Sequence, residues 1–312
     1  MNKRPKISLV IPCFNEAASL PVLFQRLDQV LMGGVEWELV FINDGSSDET
    51  LTWLIQRSKS DSRVKVIDLS RNFGKEAALT AGLDHATGDA VIPFDADLQD
   101  PPELIEQMIE QWQAGFDVVL AIRSSRKDDH PVKRVTANAF YRLFGKLSDV
   151  DMTPNAGDFR LMDRQVVDAL QRLPERNRFM KGLFAWLGFR QTEVYFEREK
   201  RAVGDSKWGS WKLWNFALDG LFSFSTAPLR IWTYLGAILA GISCCYLLYV
   251  IFDTLINGNP VPGYPSLVAI SLFFNGVILL GLGIVGEYVG RIFIESKQRP
   301  VYLVRQVVGF DP

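Results

Sequence analysis

Cysteine, histidine and net charge are all scarce in this sequence. The chain has three cysteines and two histidines in 312 residues, and its 34 basic side chains are balanced by 36 acidic ones. Cys13 is isolated and Cys244 is followed directly by Cys245, a spacing that gives no disulfide framework and no metal site. The net charge of −2 argues against a nucleic-acid-binding protein. We also expect no secretory signal, because the first residues lead directly into a predicted strand.

Charge is also missing from two long segments near the C-terminus. Residues 231–252 and 266–286 contain no charged side chain across 22 and 21 residues. Either segment is long enough to cross about 30 Å of hydrocarbon as a helix. Two buried core helices are the alternative, but core helices seldom run this far without a polar face. The pattern therefore predicts a transmembrane hairpin joined by the turn-rich segment 253–265.

Basic residues flank this hairpin on one side only. Arg230 precedes the first span, further Lys and Arg residues follow the second, and the connector contains neither. The positive-inside rule then places both termini in the cytoplasm, in a multi-pass protein of the inner (plasma) membrane. We expect a cytoplasmic α/β domain at 1–207, an interfacial amphipathic segment at 208–228, two transmembrane helices within 229–291 and a cytoplasmic tail at 292–312.

Two segments combine apolar and basic or aromatic residues in a way that suits a membrane surface. Residues 131–147 interleave apolar positions of helical spacing with basic ones, and residues 208–224 are rich in tryptophan and phenylalanine. Basic amphipathic helices bind membrane surfaces, and tryptophan favours the headgroup level. An ordinary core helix is the alternative for each segment.

The first 122 residues alternate between short apolar runs and helical patterns. The apolar, β-rich runs lie at 7–12, 39–42, 64–69, 90–94 and 118–122. Helical spacing lies between them, at 17–31, 48–57, 75–85 and 102–112. This order predicts an α/β domain with a Rossmann-like, mostly parallel and buried sheet. Ligands of such sheets bind beyond the carboxyl ends of the strands.

The fourth predicted strand ends in a pair of carboxylates, Asp95 and Asp97. Hard cations such as Mg²⁺ prefer oxygen ligands and are usually held by one or two carboxylates together with substrate phosphates. The pair therefore indicates a metal-bridged diphosphate. Surface acids also follow many buried strands, so the pair alone does not establish a metal site.

Acidic and polar residues also follow the first three predicted strands. Asn15 and Glu16 follow the first strand, and Asp44 follows the second, where it could accept a hydrogen bond from a base or ribose. Asp48 suits the start of a helix better than catalysis. Lys75 follows the third strand and could contact an anion, although a solvated lysine fits equally well.

Taken in order, these motifs resemble family 2 glycosyltransferases with a glycosyltransferase-A fold, and within them the branch that acts on polyprenyl phosphates. That branch includes dolichyl-phosphate mannose synthase and bacterial undecaprenyl-phosphate glucosyltransferases. The resemblance runs through nearly the whole chain, on the segments 12–16, 43–48, 74–75, 95–103, 155–162 and 198–208 and on the hairpin.

The resemblance implies roles for particular residues on the donor side. Pro12, Asn15, Glu16 and Asp44 would cradle the nucleoside. Asp95 would contact ribose or phosphate, and Asp97 would ligate Mg²⁺ or Mn²⁺ between the two phosphates, with Gln99 close by and Asp95 as a second candidate ligand. Arg201 and Lys207 would lie in a loop that closes over the diphosphate, for which binding of anionic lipid is the alternative.

The acceptor that the resemblance implies is a polyprenyl phosphate. Four basic residues are candidates to receive its phosphate near the bilayer, namely Arg123, Arg126, Lys133 and Arg134. Asp158 matches the catalytic-site aspartate of the family and would orient a substrate or act as a base, although Gly157 and Asp158 could also simply form a turn.

We therefore expect an inverting transfer of a hexose, glucose from UDP-glucose, to undecaprenyl phosphate. GDP-mannose, UDP-galactose or an amino-sugar nucleotide are alternative donors, and a non-catalytic membrane scaffold is an alternative of a different class. A homotetramer is expected from the resemblance alone. One departure from the family pattern is Glu76, which follows Lys75 where a glycine is common.

Overall fold

The computed structural model describes residues 4–31, 34–124, 153, 156–176, 178–197, 225–257 and 263–310. Eight strands form one mixed sheet in the order β7-β5-β6-β4-β1-β2-β3-β8. Their bounds are β1 Lys6–Cys13, β2 Glu36–Asn43, β3 Val64–Leu69, β4 Ala90–Pro93, β5 Val118–Arg123, β6 Ala156–Asp163, β7 Gln191–Phe196 and β8 Val304–Val308.

The helices follow the strands in the predicted alternation. Those of the α/β domain are α1 Leu20–Val30, α2 Thr50–Ser60, α3 Lys75–His85, α4 Leu104–Gln113, α5 Arg164–Gln171 and α6 Met180–Trp186. Apolar side chains of α1, α2 and α4 cover one face of the sheet, and those of α3, α5 and α6 cover the other. The strands are therefore buried on both sides, which explains why they read as continuous apolar runs.

The sheet is mixed, with parallel pairs around β1 and between β5 and β7 and with β6 and β8 antiparallel to their neighbours. Strand β1 pairs in parallel with β2 and β4, β2 with β3, and β5 with β7. Strand β6 lies antiparallel between β4 and β5, and β8 lies antiparallel beside β3. The first five strands were predicted to within a few residues of their ends, whereas β6, β7 and β8 were not predicted.

Two long helices follow the α/β domain, α7 at Ala227–Asn257 and α8 at Tyr264–Ser296. The predicted spans 231–252 and 266–286 lie inside them. In the part of the chain that the structure describes, one helical stretch, Phe273–Ser296, is long and apolar enough to cross a membrane, and 6% of its apolar window is buried. Gly281 lies so close to the indole of Trp232 that a side chain there would collide with it.

The segment after the hairpin, predicted as a cytoplasmic tail at 292–312, contains regular structure. Helix α8 continues to Ser296, and strand β8 then pairs with β3 at the edge of the sheet. The Tyr302 hydroxyl donates to Asp84 of α3 at 2.8 Å, and the Arg176 guanidinium donates to the Arg299 carbonyl at 2.6 Å. These contacts fasten the end of the hairpin to the α/β domain.

Candidate functional site

The acidic strand ends lie side by side because β4, β1 and β2 are neighbours in the sheet. All three run in parallel, so their carboxyl ends share one edge. Pro12 lies at the end of β1, opposite Ile42 of β2, and Asp95 and Asp97 follow β4 directly. The edge thus brings together most of the residues that were expected to bind the donor.

The turn after β1 is held against the turn after β2 by hydrogen bonds. Asn15 adopts a positive φ of 53°, and its side-chain carbonyl accepts from the Ser47 N–H at 2.8 Å. The backbone N–H of Glu16 donates to the Thr50 hydroxyl at 2.9 Å, and the Glu16 carboxylate accepts from Ser19 at 2.7 Å. Both residues therefore shape the crevice through local contacts.

Asp48 has the structural role expected of it at the start of a helix. Its carboxylate accepts from the Thr50 N–H at 3.1 Å and from the Thr50 hydroxyl at 2.6 Å. A third contact comes from the Ala17 N–H at 3.2 Å, so Asp48 also ties the first two turns together.

Asp44 fastens the turn after β2 to the loop after β3. Its two carboxylate oxygens accept from the backbone N–H groups of Phe73 and Gly74 at 2.7 and 3.0 Å. Burial raises the pKa of Asp44, although these two hydrogen bonds oppose the rise. The loops are close enough that a side chain at Gly45 would collide with the backbone of Arg71 and Asn72. Each carboxylate oxygen retains a second lone pair for a ligand.

Lys75 connects two carboxylates that are far apart in sequence. It begins α3 directly after Gly74, whose φ of 97° suits glycine. Its ammonium lies 2.7 Å from Oδ1 of Asp95 and 2.7 Å from Oδ2 of Asp158. Burial opposes the charge on Lys75, but Asp158 and Asp95 outweigh it and raise the pKa of Lys75 well above 10.5. The lysine therefore stays charged across the physiological range.

Asp158 lies in the first half of β6, where the pairing with β5 shifts register between Ala156 and Arg160. Because β6 runs antiparallel to β4, its beginning reaches the edge where β4 ends. Burial alone would raise the pKa of Asp158, but Lys75 and Lys181 hold it below its ordinary range. The carboxylate is thus ionised and ready to accept hydrogen bonds.

Two further charged residues near Asp158 were not singled out from the sequence. The Arg160 guanidinium is buried, donates to the Gly157 carbonyl at 2.6 Å and stacks over the Phe184 ring at 4.1 Å. Lys181, near the start of α6, contributes positive potential at Asp158. The sequence signal for Arg160 was an arginine inside the apolar run Phe159–Met162. Arginine is almost never fully buried unless it is paired.

The donor set around Asp97 fits a hard cation that shares its ligands with a substrate. Oδ1 of Asp97 accepts from the Gln99 N–H at 3.1 Å, which orients the carboxylate, while Asp95 is already engaged by Lys75. Among the described residues, no group of three or more His, Cys, Asp or Glu side chains could hold a metal ion. A cation at Asp97 would therefore need oxygens from a diphosphate and water, as Mg²⁺ commonly does.

Most of the expected acceptor and closing-loop residues lie outside the described residues. This applies to Arg126, Lys133, Arg134, Arg201 and Lys207, and also to the amphipathic segments 131–147 and 208–224. Arg123 is described and ends β5, where it pairs with Phe196 of β7. It lies two strands from β4, with β6 between them.

A mixed α/β sheet with acidic side chains at the carboxyl edge of its parallel strands defines a glycosyltransferase-A-type domain. The family model described as glycosyl transferase family 2 matches residues 8–171, and a model described as GtrB C-terminal hairpin matches residues 227–292. The chain belongs to glycosyl transferase family 2.

Several relatives match almost the whole chain. A protein of Shigella phage SfV named bactoprenol glucosyl transferase is 53% identical over 301 residues, which cover 96% of this chain and 98% of that protein. A Synechocystis protein named uncharacterized glycosyltransferase is 52% identical over 98% of this chain and 96% of its own. These identities confirm the expected family and branch.

Solved structures match more distantly. Glucosyl-3-phosphoglycerate synthase from Mycobacterium tuberculosis, in complex with Mn²⁺ and UDP-glucose, is 20% identical with a TM-score of 0.43, over 69% of this chain and 76% of that one. A likeness of this size does not bear on the ligands of the present protein.

Proposed function

We propose that this protein transfers glucose from UDP-glucose to a polyprenyl phosphate, undecaprenyl phosphate, at the cytoplasmic face of the inner (plasma) membrane. The observation that carries the proposal is the contact of Lys75 with both Asp95 and Asp158, which joins the acidic strand end to a second buried carboxylate. The name of the phage relative, which matches 96% of the chain, supports glucose as the sugar and a polyprenyl phosphate as the acceptor.

The donor lies, in this proposal, along the edge formed by β4, β1 and β2. Pro12, Asn15, Glu16 and Asp44 line the nucleoside end, and Asp95 and Gln99 flank the phosphates. The turns there are held together by hydrogen bonds such as that from the Ser47 N–H to Asn15. Binding of the donor would therefore cost little further conformational entropy of these turns.

Asp97, with Asp95 beside it, would hold Mg²⁺ or Mn²⁺ together with the two phosphates of the donor. A cation bound there would neutralise charge that grows on the leaving nucleoside diphosphate. Lys75 contributes a fixed positive charge 2.7 Å from Asp95, close to the same phosphates.

The acceptor phosphate needs positioning more than deprotonation. A phosphate monoester has a second pKa of about 6, so it is largely dianionic near neutrality. Arg123, Arg126, Lys133 and Arg134 are proposed to receive it, and Arg201 and Lys207 to close over the diphosphate. Arginine suits this task because its planar guanidinium contacts phosphate oxygens in pairs.

The reaction is a single displacement. An oxygen of the lipid phosphate attacks the anomeric carbon, a new carbon–oxygen bond forms, and the bond to the β-phosphate breaks with its electron pair leaving on the nucleoside diphosphate. The configuration inverts, so an α-linked donor gives a β-linked lipid phosphosugar. Asp158, which is ionised and held by Lys75, orients a sugar hydroxyl or the acceptor, or takes a proton from a protonated phosphate.

The C-terminal helices would hold this site beside an acceptor whose tail stays in the bilayer. We propose that both helices of the hairpin cross the membrane, that both termini are cytoplasmic and that the chain forms a homotetramer. The apolar stretch Phe273–Ser296 supports a membrane location. Anchoring the enzyme where the lipid resides converts a bimolecular search into a local one.

The test is a transfer assay with the full-length, detergent-purified protein. Undecaprenyl phosphate is incubated with radiolabelled UDP-glucose, UDP-galactose, GDP-mannose and an amino-sugar nucleotide, with and without Mg²⁺. We expect Mg²⁺-dependent label in the lipid fraction from UDP-glucose, lost in Asp97→Asn and kept in the exposed control Glu110→Gln. If another donor labelled the lipid, the assignment of glucose as the transferred sugar would be wrong. If no donor labelled the lipid, the scaffold alternative would be favoured.

A further inference from the structure

Glu76 is a partly buried acid at the site that the proposed reaction does not use. It lies in the first turn of α3, directly after Lys75, and the backbone N–H of Met180, at the start of α6, favours its charged form. Among the described residues, its other oxygen, Oε2, is buried without a hydrogen-bond partner. A buried oxygen in this state costs free energy unless a proton or a donor satisfies it.

Asp158 presents the same feature. Lys75 holds its Oδ2 at 2.7 Å, while Oδ1 is buried and has no partner in the described part of the chain. The two carboxyl groups also sense each other, since Asp158 is the charge that acts most strongly on Glu76. Each acid thus has one buried oxygen that lacks a donor, and a proton on one carboxyl group would supply a donor for the other.

The electrostatic environment determines which of the two acids carries the proton. Burial, followed by the negative charge of Asp158, raises the pKa of Glu76 to about 8 against the opposing effects of Lys75 and Lys181. The same two cations hold the pKa of Asp158 below its ordinary range. At pH 7 the proton therefore belongs to Glu76, which becomes a neutral acid with one O–H donor.

We propose that Glu76 is a positioning residue that donates its O–H to Oδ1 of Asp158 while Lys75 holds Oδ2. The two contacts fix the rotation of the Asp158 carboxylate and keep it ionised. This inference rests on the proposed function, because it assigns Asp158 a part in the transfer.

Glutamine is the informative replacement at this position. In Glu76→Gln the side-chain carbonyl keeps an acceptor for the backbone N–H of Met180, and the amide N–H₂ can still donate to Asp158, but the side chain no longer titrates. Glu76→Ala lacks both contacts. Glu110→Gln, on the exposed side of α4, is the control, because it removes a carboxylate that contacts neither Met180 nor Asp158.

The first readout is the pH profile of transfer between pH 7 and 9 in Mg²⁺. With a pKa of about 8 for Glu76, the neutral fraction falls about tenfold over this range, and the wild-type and Glu110→Gln rates should fall with it. Glu76→Gln should keep most of the rate at pH 7 and lose this decline, while Glu76→Ala should be slow throughout. An unchanged decline in Glu76→Gln would overturn the proposal, and so would a loss of rate equal to that of alanine.

The second readout is stability, which does not depend on turnover. A raised pKa in the folded state means that the wild type loses stability relative to Glu76→Gln as pH rises from about 4.5 to 8, and that the difference is constant above. A difference in apparent Tm that stays constant from pH 5 to 9 would show Glu76 ionised in the folded protein and refute the proposal. If no donor labels the lipid, the proposed function fails, and this comparison still decides whether Glu76 holds the proton.

Discussion

Removal of the Lys75 ammonium is the sharpest test of the charge arrangement at this site. Lys75→Met keeps most of the apolar stem and deletes the cation that contacts Asp95 and Asp158, each at 2.7 Å. Lys59→Met, at an exposed position of α2, is the matched control. The variant leaves a buried carboxylate without its nearest cation, so both stability and transfer should suffer.

The magnitude follows from how exposed each partner is. The side chains of Lys75, Asp95 and Asp158 are 35%, 33% and 15% exposed. Breaking a buried pair costs about 3–5 kcal/mol, whereas an exposed pair contributes about 0–1 kcal/mol. The Asp158 contact lies nearer the first case and the Asp95 contact nearer the second, and Arg160 and Lys181 still attract Asp158. We therefore expect a loss of about 2 kcal/mol, or roughly 4–8 °C in apparent Tm for a domain of about 200 residues.

The measurement is thermal unfolding in detergent, followed by tryptophan fluorescence at several pH values. In the wild type, the lowered pKa of Asp158 stabilises the fold above the unfolded value of about 3.9, and this contribution is lost as pH falls below it. The difference in Tm between wild type and Lys75→Met should therefore be largest near neutrality and should disappear on acidification. Equal Tm values for Lys75→Met and Lys59→Met at pH 7 would refute the reasoning.

Three further predictions test other parts of the molecule. Asp97→Asn should lower Mg²⁺-dependent transfer by at least about 100-fold with little change in Tm, because one ligand charge is lost from an accessible turn; unaltered turnover would contradict the role of Asp97. Asp44→Asn should cost about 1–3 kcal/mol, since an amide has one oxygen for two backbone donors, and hydrogen exchange in the loop after β3 should accelerate. Tyr302→Phe should cost about 1 kcal/mol through the lost contact with Asp84, and an unchanged denaturation midpoint would argue against it.

The central strands could be predicted because each is buried on both faces. Residues 64–69 and 75–85 were predicted with the bounds that the structure has, since an apolar run and a helical pattern are local properties. Strand β6 was not predicted, because its first half, with Asp158, is polar and the strand forms by pairing with β4 and β5, which are distant in sequence. A segment whose partners are about 40 to 70 residues away carries no local sign of pairing.

The same limit applies to the chemistry of the site. The pair Asp95 and Asp97 was recognisable from its place after a strand, and Lys75 from its place before a helix. Nothing local indicates that Lys75 bridges Asp95 to Asp158, which is 83 residues away. The state of Glu76 depends on the same fold, because its burial and its nearness to Asp158 exist only once β6 has joined the sheet.

Strand β8 gives the hairpin a mechanical link to this site. Only seven residues, 297–303, separate the end of α8 from a strand that pairs with β3, and the loop after β3 leads directly to Lys75. A link of that length reaches at most about 25 Å, and Arg176 shortens it further by holding the Arg299 carbonyl. If α8 lies in the membrane as proposed, the donor edge is therefore kept at a restricted height above the bilayer. Such a restriction suits an acceptor whose phosphate cannot move far from the headgroup layer, because the reacting atoms then meet without a search along the membrane normal.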